Sequence, residues 1–191
     1  MIQSLNVKIM FKIVKDTSLS LRSKSKPVEL PLTSKDHDLI LRMFSYLKKT
    51  QDPAFLEKHP KIREGVGLAA PQVGVNKRMT VIYYHDAEGK ETQYALVNPR
   101  IVENSIKKCY LLVGEGCLSV DDKHEGYVPR DNKIKVKAYD VLTESDIEIT
   151  ARGYDAIVLQ HEIDHLDGIL YYDRINKDNP FQVIEGAVEI G

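Results

Sequence analysis

The tightest constraint in the sequence is the pentad His161-Glu162-Ile163-Asp164-His165, because residues four apart on an α-helix stand about 6 Å of rise apart on one side. Two imidazoles so placed can share one metal ion. Glu162, about 100° round the axis, does not join them as a ligand but reaches a water on that ion. The surrounding ARGYDAIVLQHEIDHLDG predicts the helix, since Tyr154, Ile157, Val158, His161 and His165 fall at i, i+3, i+4, i+7 and i+11 on one face. Gly168 is expected to close it as a C-cap. Burying two imidazoles and a carboxylate is costly unless they are compensated, and a divalent cation compensates them. A histidine pair on a solvated helix face is the plain alternative, and Glu162 within an apolar stripe weighs against it.

A catalytic metal site of this type needs a third protein ligand beside an open position for water. In a zincin-type peptidase it lies downstream, where Asp173, Glu185 and Glu189 are the candidates. The other candidate is Cys117 in EGCLSV, a thiolate between glycine and a strand-like segment that can approach a metal closely. Cys109, in the apolar run CYLLV, reads as structural. Cys117 is preferred, with a zincin-like metallopeptidase as the second reading and a binding module without turnover as the third. The intact Glu162 argues against the last.

The rest of the chain supplies a scaffold. Ser34 onward predicts a helix capped by Thr33 or Ser34, with Asp36 and Asp38 near its positive end and Leu39, Ile40, Met43, Phe44 and Leu47 on one face. Asp52-Pro53 starts a short helical turn that Pro60 stops. RMTVIYY, HDAEGKE and TQYALVNP read as strand, turn and strand, and residues 99–150 stay extended through IKKCYLLVGEGCLSV, KIKVKAYDV and DIEIT, so antiparallel sheet should dominate the middle. With 191 residues, 42% of them hydrophobic, the chain reads as one domain, and residues 1–9 ahead of Met10 as an extension.

A net charge of −1 excludes a global field that would draw the protein onto nucleic acid or an anionic membrane. Two cysteines are too few for a disulfide framework. Lys8, Lys12 and Lys15 interrupt the N-terminal apolar residues, and no apolar run approaches the roughly 20 residues of a membrane span. A cytoplasmic setting is expected. GVGLAA fits the letters of a dinucleotide fingerprint, but no buried strand precedes it and Pro71 falls where the phosphate-binding helix should run. Such a loop instead suits close backbone approach to a ligand, with Gln72 able to donate its amide to a developing oxyanion.

Three segments then coincide: GVGLAAPQ at 65–72, EGCLS at 115–119 and QHEIDHLDG at 160–168. In this order and spacing the chain resembles the peptide deformylases, which remove the formyl group from the N-terminal methionine of nascent bacterial proteins. The resemblance spans about the last two thirds of the chain. KKTQDPAFLEKHPKIREGVGLAAP, EGCLSVDDKHEGYVPR and the short ending VIEGAVEIG are similar to the second, Gram-positive-type subclass.

The resemblance implies an α+β fold, with antiparallel β-sheets packed around a central metal-binding helix, an N-terminal helix and a strand-like C-terminus. It implies Cys117, His161 and His165 as metal ligands, usually of ferrous iron, with zinc, nickel or cobalt able to substitute. Glu162 would handle protons, and Gln72 and the N–H of Leu118 would hold the oxyanion. Gly65, Val66 and Gly67 would run beside the substrate backbone like an added strand, and Val66, Ile157, Val158 and His161 would wall the methionine pocket. The implied partners are N-formylmethionyl nascent peptides, met through transient association with the ribosome, with no nucleic-acid cofactor and no membrane. Asp164 is weighed as outer support through Arg130 against an ordinary surface ion pair, with neither favoured.

Overall fold

The computed structural model describes residues 10–191, so the reading of residues 1–9 lies outside the described residues. An irregular lead-in rich in Ser and Pro reaches α1 (Ser34–Lys49), whose first turn is closed by the Thr33 side chain accepting the Asp36 N–H. The Ile40, Met43, Tyr46 and Leu47 side chains are buried, while Leu39 and Phe44 pack partly against the same core. Asp36, expected only as a charge at the helix start, is itself buried and paired with Lys77. A short α2 (Pro53–Lys58) follows, capped by Asp52 through the Ala54 N–H.

The strands in chain order are β1 (Gly67–Ala69), β2 (Met79–His85), β3 (Glu91–Asn104), β4 (Lys108–Leu111), β5 (Arg130–Asp131), β6 (Lys133–Asp140), β7 (Ser145–Arg152) and β8 (Val188–Ile190). The larger sheet has the order β1-β2-β3-β6-β7 and is antiparallel throughout. The hairpin of β2 and β3 pairs Met79 with Val97 through to His85 with Glu91, as the strand, turn and strand pattern predicts. A smaller sheet, β5-β4-β8, departs from the antiparallel expectation in one pair: β4 and β8 run parallel. The C-terminus is nonetheless a strand, and the fold is α+β.

Period-two geometry divides the core between the two faces of the larger sheet. Met79, Val81 and Tyr83 of β2, with Ala95 and Val97 of β3, meet α1. Ile82 and Tyr84 of β2, with Leu96 of β3, Ile134 and Val136 of β6 and Ile149 and Ala151 of β7, meet α3 (Tyr154–Leu166) on the other face. β2 is therefore buried along nearly its whole length. α3 is buried on most of its circumference, from Ala156 through Leu166. Its stripe pattern thus understates how central it is.

Two local expectations shift. The C-cap of α3 is Asp167, and Gly168 sits one residue beyond with φ 77, where a left-handed backbone favours glycine. The segment 112–129 is not extended strand; it leaves β4 by a turn at Leu112–Val113 and runs as loop through Cys117. Gly114 at φ 76 and Gly126 at φ 146 place left-handed backbone in that segment, which breaks the ladder that the apolar letters promise. Among the described residues, no helix is long and apolar enough to cross a membrane.

Candidate metal centre

The loop after β4 brings Cys117 against the face of α3 that carries His161 and His165. One ligand atom from each of the three lies within 4.8 Å of the others. Cys117 Sγ is 3.3 Å from His165 Nε2, and the two imidazole centroids are 4.9 Å apart. A tetrahedral ion about 2.3 Å from sulfur and about 2.0–2.1 Å from nitrogen would hold such a pair about 3.5 Å apart. The donor set therefore fits one ion. The downstream alternatives do not join it: Asp173 pairs with Arg22, Glu189 accepts from the Tyr110 hydroxyl, and Glu185 is exposed and outside the cluster.

Electrostatics supports the same fit. Burial alone would raise the Cys117 thiol, but His165 and His161 outweigh it and hold it well below its ordinary value. Burial alone would likewise lower His161, but Cys117 and Glu115 hold it well above its ordinary value. The pull of both imidazoles favours the charged form of Cys117, the form in which a thiol ligates a metal ion. His165 Nδ1 is buried with no hydrogen-bond partner among the described residues.

A second layer of side chains fixes the first. Glu115 Oε2 lies 2.8 Å from His161 Nδ1, and both Glu115 oxygens accept from Arg130, at 2.8 Å from Nε and 2.9 Å from Nη2. An acceptor on Nδ1 leaves Nε2 as the free donor atom of that ring. Burial would raise Glu115, yet Arg130 and His161 bring it down to about 2. Arg130, with only 1% of its side chain exposed, also donates to Asp164, which in turn accepts from Arg174 at 2.6 and 2.5 Å. The Asp164–Arg130 pair is thus a buried support and not a surface ion pair.

Glu162 is buried on the opposite flank, 4% exposed. Burial raises its carboxyl above the ordinary value against the pull of His161 and His165. Thr80, on the α3-facing side of β2, stands 3.3 Å from Glu162 Oε2 and donates to Leu68 O at 3.1 Å. Gly67 leaves the room: a Cβ there would stand 2.2 Å from Glu162 Oε1. Gln72, on the short 3-10 turn Ala70–Val73, accepts the Ala69 N–H through Oε1 at 2.8 Å. That bond turns its Nε2 towards Cys117 Sγ at 3.5 Å and Ser119 Oγ at 3.2 Å.

All of this opens onto one cleft of about 420 Å³, within the range of a small-ligand site. Its walls include Gly65, Val66, Gly67, Gln72, Cys117, Leu118, Ile157, Val158, His161 and Glu162. Of the site residues that the family resemblance implies, all but His165 line it, and His165 lies behind, 1% exposed, against Cys117. Sequence reasoning missed Glu115 and Arg63. Glu115 stood inside the EGCLS motif without a role, and its position two residues before a candidate ligand was the available signal.

The sequence model of the family described as "Polypeptide deformylase" matches residues 10–181. The "Peptide deformylase 2" of Bacillus subtilis (strain 168) is 48% identical over 181 residues, covering 95% of this chain and 97% of the relative. The chain belongs to the peptide deformylase family. Its similarity to relatives bearing that name places it in the second subclass. A crystal structure of a peptide deformylase from Ehrlichia chaffeensis superposes with TM-score 0.71 at 32% identity, covering 88% of this chain and 89% of that one. A Met-Ala-Ser-bound class I type b peptide deformylase from Acinetobacter baumannii gives 0.67 at 31%, covering 87% and 98%. Membership carries the activity: the chain is a peptide deformylase-type hydrolase, removing the formyl group from an N-terminal formyl-methionine.

Proposed function

We propose that deformylation takes place in this cleft, with Cys117, His161 and His165 holding one ferrous ion and Glu162 moving the proton. The observation that carries the reading is the convergence of the three ligand atoms within 4.8 Å beside a buried glutamate at the wall of the cleft. The ion, when bound, supplies Lewis acidity that brings the pKa of a water towards about 7. Glu162 takes the proton of the attacking water and later returns it to the leaving amine as formate departs. The Gln72 amide, turned by its bond to Ala69, and the Leu118 N–H receive the developing oxyanion, each worth about 3–4 kcal/mol by analogy with other acyl-transfer sites.

Val66, Ile157 and Val158 form the apolar wall for the methionine side chain, with selectivity of only about 1–3 kcal/mol per methylene. Gly65, Val66 and Gly67 run beside the peptide backbone. In support, β1 is the edge strand of the larger sheet, so one side of it is open to strand addition. The substrates on this reading are nascent chains, met in the cytoplasm by transient association with the ribosome.

Formate release from an N-formylmethionyl peptide by the iron-loaded protein tests the assignment. Glu162→Ala should lose release while keeping its metal. Undiminished release from that variant would overturn Glu162 as the proton carrier.

A further inference from the structure

Arg63 lies two residues ahead of Gly65, at the mouth of the cleft. Its Nη2 is 3.0 Å from Cys117 O, 2.7 Å from Leu118 O and 3.1 Å from Val120 O, three carbonyls of the loop facing β1 across the opening. Asp121 Oδ1, which also accepts from Lys15, stands 3.5 Å from the same nitrogen and offsets its charge. Cys117 O accepts the Val120 N–H at 3.2 Å as well, so both of its lone pairs are engaged. The carbonyl cannot swing freely.

That restraint reaches the other end of the peptide group. The single cis bond among the described residues is Leu30–Pro31, so the Cys117–Leu118 peptide is trans. In a planar trans peptide the C=O and N–H point in opposite directions. Holding Cys117 O on the Arg63 side therefore aims the Leu118 N–H the other way. No hydrogen-bond acceptor among the described residues takes that N–H. A charged donor on the carbonyl also polarises the peptide, which makes its N–H a stronger donor.

We propose that Arg63 is a positioning residue, gripping the carbonyl of Cys117 so that the N–H of the same peptide group, that of Leu118, is held ready for the oxyanion. The proposal rests on the reading above that Leu118 N–H is an oxyanion donor. Arg63 itself touches no reacting atom on this account. Deleting it leaves the donor in place but loosens its aim. The expected loss in kcat is at least about tenfold, and smaller than the about 10²–10³-fold of removing an oxyanion donor outright.

The test pairs kinetics with a signal that does not depend on turnover. In zinc-loaded, isotope-labelled protein the Leu118 amide nitrogen is followed by NMR in the wild type, Arg63→Ala and Arg63→Lys. The account expects an upfield move in Arg63→Ala, a smaller one in Arg63→Lys, and kcat falling in the same order with KM changed less than kcat. A Leu118 signal unmoved in Arg63→Ala overturns the proposal, as does a raised KM with kcat intact, which would make Arg63 a substrate contact. A moved signal with kcat unchanged keeps the grip on the peptide group and removes Leu118 N–H from the catalytic reading instead.

Discussion

Glu115 Oε2 stands 2.8 Å from His161 Nδ1 while Arg130 binds both oxygens of the same carboxylate. One buried carboxylate therefore fixes the orientation of a candidate metal ligand and counters the charge of an arginine whose side chain is only 1% exposed. Glu115→Gln keeps the shape and removes the charge. Its metal affinity should fall about 10–100-fold, measured by competition with a chelator. Stability should fall by up to about 3–5 kcal/mol, because Arg130 then lacks one of its buried counter-charges.

Gly67 is required by the position of Glu162. A Cβ at residue 67 would come within 2.2 Å of Oε1 and 2.5 Å of Cδ, so Gly67→Ala must push the carboxylate aside. Since a misplacement of about 1 Å costs roughly 10²-fold, kcat/KM for a formyl-methionyl peptide should drop by about that factor while the metal stays bound. An unchanged rate would mean that Glu162 is free to move.

The two cysteines should respond differently to oxidation. Burial pushes the Cys109 thiol up to about 11, so it holds almost no thiolate near neutrality and should stay unmodified. Cys117 is held well below its ordinary value, so peroxide should inactivate the protein in step with oxidation at Cys117 alone. Peptide mass mapping after graded peroxide exposure reads both sites.

Asp36 ties α1 to Lys77 and gives an acid-side dependence. Its carboxyl is lowered, first by the hydrogen bond from Lys77 and against burial. A lowered folded-state value means that the stabilisation is present above the unfolded value near 3.8 and is lost as pH falls through the folded value. With Lys77 40% exposed, the pair is worth only about 0.5–1 kcal/mol. The stability gap between wild type and Asp36→Asn, measured by urea unfolding, should be of that size at pH 7 and should shrink below pH 3.8.

The elements that sequence could read were those whose side-chain period matched their burial. α1 and the hairpin of β2 and β3 follow directly from spacing and turn residues. His161, Glu162 and His165 follow from helical periodicity, since α3 fixes their relative directions by itself. The loop at 112–129 was misread as extended because its apolar letters, Leu112, Val113 and Leu118, are arranged by left-handed glycines that a period does not register. The parallel pair of β4 and β8 joins residues about 80 apart, beyond the reach of any local pattern. Arg63 and Glu115 act on carbonyls and rings that only tertiary folding brings near, so no spacing rule marks them.

On the proposed function, a divalent ion bound at Cys117, His161 and His165 makes this cleft a deformylating centre. The decisive experiment is anaerobic purification with metal content and formate release from an N-formylmethionyl peptide measured on the same samples. The account predicts one iron per chain, release that disappears when a chelator removes the metal, and release that returns when iron is restored. Formate release that persists in the metal-free protein, or none from protein fully loaded with iron, would contradict it.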